Sequence, residues 1–231
     1  MRQKIASITQ MLRLPSVCVL CYQYHRSPFA VCQACTGLLK QIGPACHYCA
    51  LPLADDKFLV CGKCSNKRPI VDSTITAYRF EEPLRTLLHE FKYQQALYLR
   101  TFLVKLMLDA LTTTVDKPQC LVPVPLHPKR MRQRGFNQAA ELAKLLAKQL
   151  QIPCELTLCK KIMHTEAQAN LNGKQRRQNL RDAFQAKSSP YQHITLIDDL
   201  MTTGSTANEL ASILKRQGVM RVDIWCCARA F

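Results

Sequence analysis

Ile194-Thr195-Leu196-Ile197-Asp198-Asp199-Leu200-Met201-Thr202-Thr203-Gly204-Ser205-Thr206-Ala207-Asn208-Glu209-Leu210 is the stretch from which the fold is read. Its first four residues are apolar or β-branched and predict a buried strand. Two adjacent carboxylates follow, then a loop of hydroxyl side chains around one glycine. Leu210, Ile213 and Leu214 then recur at helical spacing and predict an amphipathic helix. A strand–loop–helix junction collects backbone N–H groups and the positive end of a helix at one point, which suits a phosphate. Thr202, Thr203, Ser205 and Thr206 add hydroxyl donors, and Gly204 permits a close approach of backbone to anion. Carboxylates repel phosphate, so Asp198 and Asp199 are expected to face another part of the ligand. Vicinal sugar hydroxyls, with Mg²⁺, match their oxygens. The implied ligand is a ribose 5-phosphate unit at the carboxyl end of a strand, where open α/β sheets bind ligands.

Outward from this stretch, the 231 residues allow one large domain or a domain with a small module, and 48% hydrophobic content is enough for a core. The formal net charge of +16 points to nucleic acid or another polyanion as partner. Residues 1–67 hold 8 Lys/Arg against 2 Asp/Glu, residues 68–119 hold 7 against 6, and residues 120–231 hold 17 against 8. Both ends are therefore basic. Aromatic residues make up only 7%, which favours phosphate tracking over base stacking. Met1–Leu14 carries Arg2, Lys4 and Arg13 and lacks a long apolar region, so no signal peptide is expected; the reading is a short amphipathic helix. No run reaches membrane-spanning length.

Eight of the 13 cysteines form four C-x-x-C pairs: Cys18/Cys21, Cys32/Cys35, Cys46/Cys49 and Cys61/Cys64. Each pair is a knuckle that puts two thiolates on a metal, and two knuckles complete a tetrahedron. Two structural Zn²⁺ sites in a reduced, cytoplasmic protein are expected. Cys18, Cys21, Cys32 and Cys35 are assigned to one ion, and Cys46, Cys49, Cys61 and Cys64 to the other. A cross-braced pairing satisfies the same spacing. His25 and His47 are surplus to eight thiolates.

Asn66–Pro69 reads as a linker, which divides the chain into residues 1–66 and 67–231. Ser73–Phe80 alternates as a strand, Leu84–Phe91 is a helix followed by Lys92, and residues 95–112 are a second helix. Cys120–Pro125 is a strand whose prolines belong at an edge or end. Residues 126–137 form a loop bearing Lys129, Arg130, Arg132 and Arg134, ahead of an amphipathic helix from Gln138 to Leu150. Cations beside a helix N-terminus suit a pyrophosphate, and nucleic-acid phosphate equally. Glu155–Lys160 is a short strand. Lys160–Phe184 is polar and basic and suits a closing lid. Arg221–Ala230 is the last strand.

The I-D-D-L-M-T-T-G-S-T segment resembles the phosphoribosyl pyrophosphate (PRPP) signature of type I phosphoribosyltransferases. With V-P-V-P followed by R-G-F-N-Q, and with the four cysteine pairs, nearly the whole chain resembles the ComF/GntX family, associated with competence and use of imported DNA. The resemblance implies an α/β fold: a type I phosphoribosyltransferase-like parallel sheet flanked by helices, preceded by a small double zinc ribbon. It implies PRPP with Mg²⁺ on Asp198, Asp199, Met201, Thr202, Thr203, Gly204, Ser205 and Thr206. A pyrophosphate loop at Arg132, Arg134 and Gly135 follows from it. So do lid positions Thr165, Gln168, Arg176 and Asn179, and a lysine at Lys92 near the phosphates. The implied partners are single-stranded DNA and a competence helicase. Two functions are compatible with this: handling of incoming DNA by a protein with a PRPP site, or phosphoribosyl transfer to an acceptor that the sequence does not encode legibly.

Overall fold

The computed structural model describes residues 14–76, 78–111, 116–163 and 183–231. The expected N-terminal helix and lid positions Thr165, Gln168, Arg176 and Asn179 lie outside them.

Chain order begins with the cysteine-rich part: β1 (Ser16–Val17), β2 (Tyr24–His25), α1 (Gln33–Thr36) and α2 (Gly62–Asn66). Then come β3 (Ser73–Ile75), β4 (Tyr78–Arg79), α3 (Leu84–Tyr93), a 3₁₀ turn (Leu97–Leu99) and α4 (Arg100–Ala110). They are followed by β5 (Cys120–Pro123), α5 (Pro128–Arg134), α6 (Gln138–Leu150), β6 (Cys159–Lys161) and β7 (Phe184–Ala186). The chain closes with β8 (His193–Met201), α7 (Ser205–Arg216) and β9 (Arg221–Arg229).

The central sheet is five-stranded, with order β3-β9-β8-β5 and β4 also paired to β9. Every one of these pairings is parallel. A parallel sheet needs cover on both faces, and alternation along the strands supplies it. Leu121, Ile197, Trp225 and Cys227 face a core built with Phe91, Phe102, Leu103, Leu142 and Leu146 from α3, α4 and α6. Val122, Ile194, Leu196, Val222 and Ile224 face the opposite core, with Leu210, Ala211 and Leu214 from α7. This is the expected arrangement of a phosphoribosyltransferase-like sheet between helices, behind a double zinc ribbon. Each ribbon half joins one of the cores: Cys18, Val31 and Leu39 pack with the α3–α4 side, and Cys46, Cys49 and Cys64 with the α7 side. Burying a Leu, Val or Phe in such a core contributes about 1.5–3 kcal/mol each, so the ribbons are held by packing as well as by their ligands.

Several local expectations change. The predicted strand Ile194–Ile197 runs on to Met201, because β9 continues to pair with it through Leu200 and Met201. Asp198 and Asp199 therefore sit inside the strand rather than after it. The basic loop 126–137 contains α5: His127 accepts a hydrogen bond from the backbone of Lys129, Pro128 starts the helix, and Gly135 ends it in the left-handed region at φ 80°. Residues 95–112 divide into a 3₁₀ turn and a shorter α4, after Gln95 at φ 53°. Strand 73–80 divides into β3 and β4. In place of strand 155–160 there is a turn and then β6, Cys159–Lys161. The proline-bearing β5 does lie at the end of the sheet, and beyond it the backbone at Pro153–Glu155 bonds Leu121.

Candidate phosphoribosyl site and cysteine clusters

β8 delivers its two carboxylates to the carboxyl end of the sheet in opposite directions, as alternation requires. Asp199 is buried, with 6% of its side chain exposed, and its Oδ2 lies 2.8 Å from Lys92 Nζ at the end of α3. That oxygen makes no hydrogen bond of ordinary geometry, so the lysine is its charge partner. Burial works against the Lys92 ammonium, but Asp199 and Asp198 outweigh it and hold its pKa above the usual lysine range. Asp198 is partly exposed, and its Oδ1 accepts the backbone N–H of Asp199 at 2.9 Å. Desolvation, then the neighbouring Asp199 charge, push the Asp198 carboxyl well above the usual carboxylate range. A bound divalent cation or sugar hydroxyls would favour its ionised form.

After Met201 the chain turns through Thr202–Gly204. Gly204 has φ 73°, where a side chain would be strained, and an added Cβ would fall 2.7 Å from Met201 Cε. Gly204 has no side chain with which to cap α7; the Ser205 N–H is taken by Thr203 Oγ1 at 3.3 Å, and the N–H groups of the next residues are left at the turn. Thr203 Oγ1 and Ser205 Oγ are 2.8 Å apart. Asp198 and residues 200–207, with Ile224, line a small cavity of about 50 Å³. It abuts a second cavity of about 170 Å³, with Asp198, Leu200 and Thr206 in the wall of both. The second cavity has four cations in its wall, Lys92, Arg130, Arg134 and Lys161, along with Asp199, Asn137 and Gln138. Burial and the like charge of Arg130 pull the Lys161 ammonium below its usual range, and the charge of an anion placed here would oppose that shift.

The basic residues are positioned from the start of α6. Asn137 caps that helix at the N–H of Ala140 and donates Nδ2 to the carbonyl of Val124. Gln138 donates Nε2 to the carbonyl of Lys92 and accepts from Arg134, whose guanidinium lies 4.9 Å from the Tyr93 ring centre. Arg134 thus stands at the four-cation cavity. Arg132 does not: it faces a neighbouring depression of about 730 Å³ with Met131, Leu156 and Ile162. Gly135 terminates α5 and takes no place in the cavity wall. Lys161 was not singled out from sequence, and Gln138 only as the last residue of the R-G-F-N-Q segment, since β6 and the α6 start are joined to the site only by folding. Lys92 and Asp199 also line another cavity, about 430 Å³, with Phe80, His89, Glu90 and Tyr93 in its wall.

The eight cysteines gather as Cys18/Cys21/Cys32/Cys35 and Cys46/Cys49/Cys61/Cys64, with the sulfurs of each group within 4.8 Å of one another. This is the sequential pairing, not the cross-braced one. Cys21–Cys32 and Cys49–Cys61 sulfurs are 3.8 and 3.7 Å apart. Four sulfurs at the Zn–S length of about 2.3 Å around a tetrahedron stand about 3.8 Å apart, so both groups fit Zn²⁺. Burial raises the Cys18 thiol, but backbone donors at Cys32, Cys21 and Leu20 outweigh it and bring it to about 6. Cys46 is brought to about 7 in the same way. Cys35 and Cys64 are pushed up by burial and the surrounding sulfurs, the condition a divalent cation would reverse.

Comparison with known proteins agrees with this layout. The double zinc ribbon domain family matches residues 10–65. The chain is 33% identical over 225 residues to "Competence protein F" of Haemophilus influenzae, covering 92% of this chain and 96% of that one. It is 32% identical over 227 residues to "DNA utilization protein YhgH" of Salmonella typhimurium, covering 95% and 99%. It is 31% identical over 198 residues to "Competence protein ComFC" of Bacillus subtilis, covering 81% and 79%.

Proposed function

The chain belongs to the ComF family, and on that basis we propose that it serves competence and DNA utilisation in the cytoplasm, handling incoming single-stranded DNA and holding PRPP with Mg²⁺ at the end of β8. The observation that carries the ligand reading is the pair of neighbouring cavities that share Asp198, Leu200 and Thr206 in their walls. The small one offers a helix start and hydroxyls to a 5-phosphate, the larger offers Lys92, Arg130, Arg134 and Lys161 to a diphosphate, and Asp198 stands at their junction. Asp198 and Asp199 would take the ribose hydroxyls. Mg²⁺, when bound with the ligand, would offset diphosphate charge beside these carboxylates. Among the described residues no helix is long and apolar enough to cross a membrane.

The net charge of +16 supports the DNA part, as do the names of the relatives. Sequence-independent contact through phosphates is the mode the charge favours. A competence helicase is part of the same proposal, and the exposed Tyr22, Tyr24 and Leu38 of the first ribbon give a protein partner apolar surface to meet. The test is calorimetric titration with Mg²⁺-PRPP and, separately, with an oligothymidylate at several salt concentrations. Saturable PRPP binding supports the pocket. DNA affinity that falls about 50-fold between 50 and 200 mM salt, as for roughly four phosphate contacts to a single strand, supports the polyanion role. Absence of both heats contradicts the proposal.

Phosphoribosyl transfer is the second reading, favoured by the 430 Å³ cavity that shares Lys92 and Asp199 with the cationic one. An acceptor there would form a bond to the anomeric carbon as the bond to diphosphate breaks, diphosphate leaving with the electron pair and the acceptor's proton passing to water. The protein's contribution would be alignment and charge stabilisation. Pyrophosphate release that depends on an added acceptor distinguishes this reading from binding alone.

A further inference from the structure

The phosphate loop is held from behind, and its support comes from the second zinc-ribbon half. Arg229, near the end of β9, is 5% exposed. Its Nε donates to the carbonyl of Cys49 at 2.9 Å. Its Nη1 donates to the carbonyl of Met201 at 3.2 Å and also reaches the carbonyls of Thr202 and Ala230. One buried guanidinium therefore joins a residue of the Cys46/Cys49/Cys61/Cys64 group to the first turn of the loop. Asn208 adds a parallel tie: it accepts the N–H of Ile70 at 2.6 Å and donates to the carbonyl of Gly204 at 3.0 Å. The knuckle itself is fastened to the sheet, since the hydroxyl of Thr74 donates to the carbonyl of Tyr48 at 2.7 Å.

The Met201 carbonyl also accepts the N–H of Ala230 at 2.9 Å, so the backbone beyond β9 and Arg229 together set the direction of the loop's first peptides. In a planar trans peptide, a carbonyl and the following N–H point in opposite directions. With the carbonyls of Met201 and Thr202 turned to Arg229, the N–H groups of Thr202 and Thr203 are turned away from the ribbon. Losing a carbonyl acceptor there would leave a buried donor unpaired.

We infer that Arg229 is a positioning residue that couples occupancy of the Cys46/Cys49/Cys61/Cys64 site to the anion affinity of the phosphate loop. The inference rests on the phosphate-loop reading given above. A Cys49 knuckle framed by its metal keeps the Nε acceptor in place, and Nη1 keeps the loop carbonyls turned back. Coupling between two sites is reciprocal, so an anion in the loop must also hold that metal more tightly. The Cys18/Cys21/Cys32/Cys35 group packs on the opposite core and serves as an internal control.

The experiment is zinc release from the full chain carrying two Zn²⁺, followed with a chromogenic chelator, with and without saturating ribose 5-phosphate. The expected result is that ribose 5-phosphate slows release of one ion at least fivefold and leaves the other unchanged. The slowed ion remains in a Cys32→Ser/Cys35→Ser variant. In Arg229→Lys, which keeps the positive charge but not the fork, both ions bind and the protection is lost. If ribose 5-phosphate broadens in phosphorus NMR with the wild type yet slows neither ion, or both equally, the coupling is overturned. If it does not bind the wild type at all, the phosphate-loop reading falls and takes the coupling with it. The wild-type measurement decides the matter even where Arg229→Lys fails to fold.

Discussion

Lys92 Nζ and Asp199 Oδ2 are 2.8 Å apart, and both residues line the cationic cavity and the cavity beside Tyr93. The lysine neutralises a carboxylate that the strand forces into a buried position. Breaking such a pair from one side leaves a charge without compensation, whereas removing both partners does not. Lys92→Met is therefore expected to lower stability by about 2 kcal/mol, toward the small side because the lysine keeps some solvent contact. Lys92→Met/Asp199→Asn should recover most of that loss. Urea unfolding of the two singles and the double measures the coupling; additive losses would mean the pair is not coupled.

Asp198 sets a pH dependence. Its folded pKa is raised by burial and by Asp199, with Lys92 opposing. The sign follows from linkage: the stability this group contributes to the ligand-free protein is fully present below its unfolded pKa, and is lost as pH rises through the folded value. Asp198→Asn should thus stabilise the free protein at neutral pH, with the difference shrinking on acidification. Ligand binding runs the other way, since metal and hydroxyls require the carboxylate. Thermal shift by Mg²⁺-PRPP should weaken as pH falls, beginning above the ordinary carboxylate range. Melting curves from pH 8 down to pH 5, taken as about the usable span around these ionisations, check both signs.

Gly204→Ala tests the turn. The left-handed backbone at φ 73° penalises a Cβ by about 1–2 kcal/mol, and the Cβ also meets Met201 Cε at 2.7 Å. The methionine tip is flexible and can move, but the backbone cost stays. The variant should fold with a lowered melting temperature and lose at least tenfold in ribose 5-phosphate affinity, measured by calorimetry. Unchanged affinity would show that the turn does not shape an anion site.

The cysteine groups make a distinct prediction. Cys21→Ser/Cys32→Ser, which takes one thiolate from each of the first two knuckles, should reduce bound zinc from two ions to one per chain, because the pairing is sequential and both belong to one group. In a cross-braced arrangement the same double variant would damage both sites. Metal analysis of the purified variant separates these outcomes.

The local patterns were legible in the chain. Four C-x-x-C pairs announce tetrahedral thiolate sites, and a β-branched run, hydroxyl turn and amphipathic helix announce the strand–turn–helix junction of β8 and α7. What decides between sequential and cross-braced ligation is the packing of each ribbon half on a different core, which spacing does not record. Asp198 and Asp199 read as post-strand residues because two carboxylates are poor strand formers, yet pairing with β9 overrides their propensity. The basic loop concealed α5, since a seven-residue helix of alternating cations has no apolar face to betray it. Arg229 was invisible for a different reason. Its partner Cys49 is 180 residues away, and nothing in A-R-A-F near the C-terminus marks a strut. Arg130 and Lys161 share that history: their charge was readable, but their convergence on one cavity is a product of the fold.

The most direct measurement is the phosphorus NMR spectrum of Mg²⁺-PRPP titrated with the purified protein and with Asp198→Asn/Asp199→Asn. The account predicts that the 5-phosphate and diphosphate resonances broaden or shift saturably with the wild type, and that the double variant, still folded and holding two zinc ions, leaves them much less changed. Spectra that the wild type does not alter, or that both proteins alter alike, would contradict a phosphoribosyl site at the end of β8.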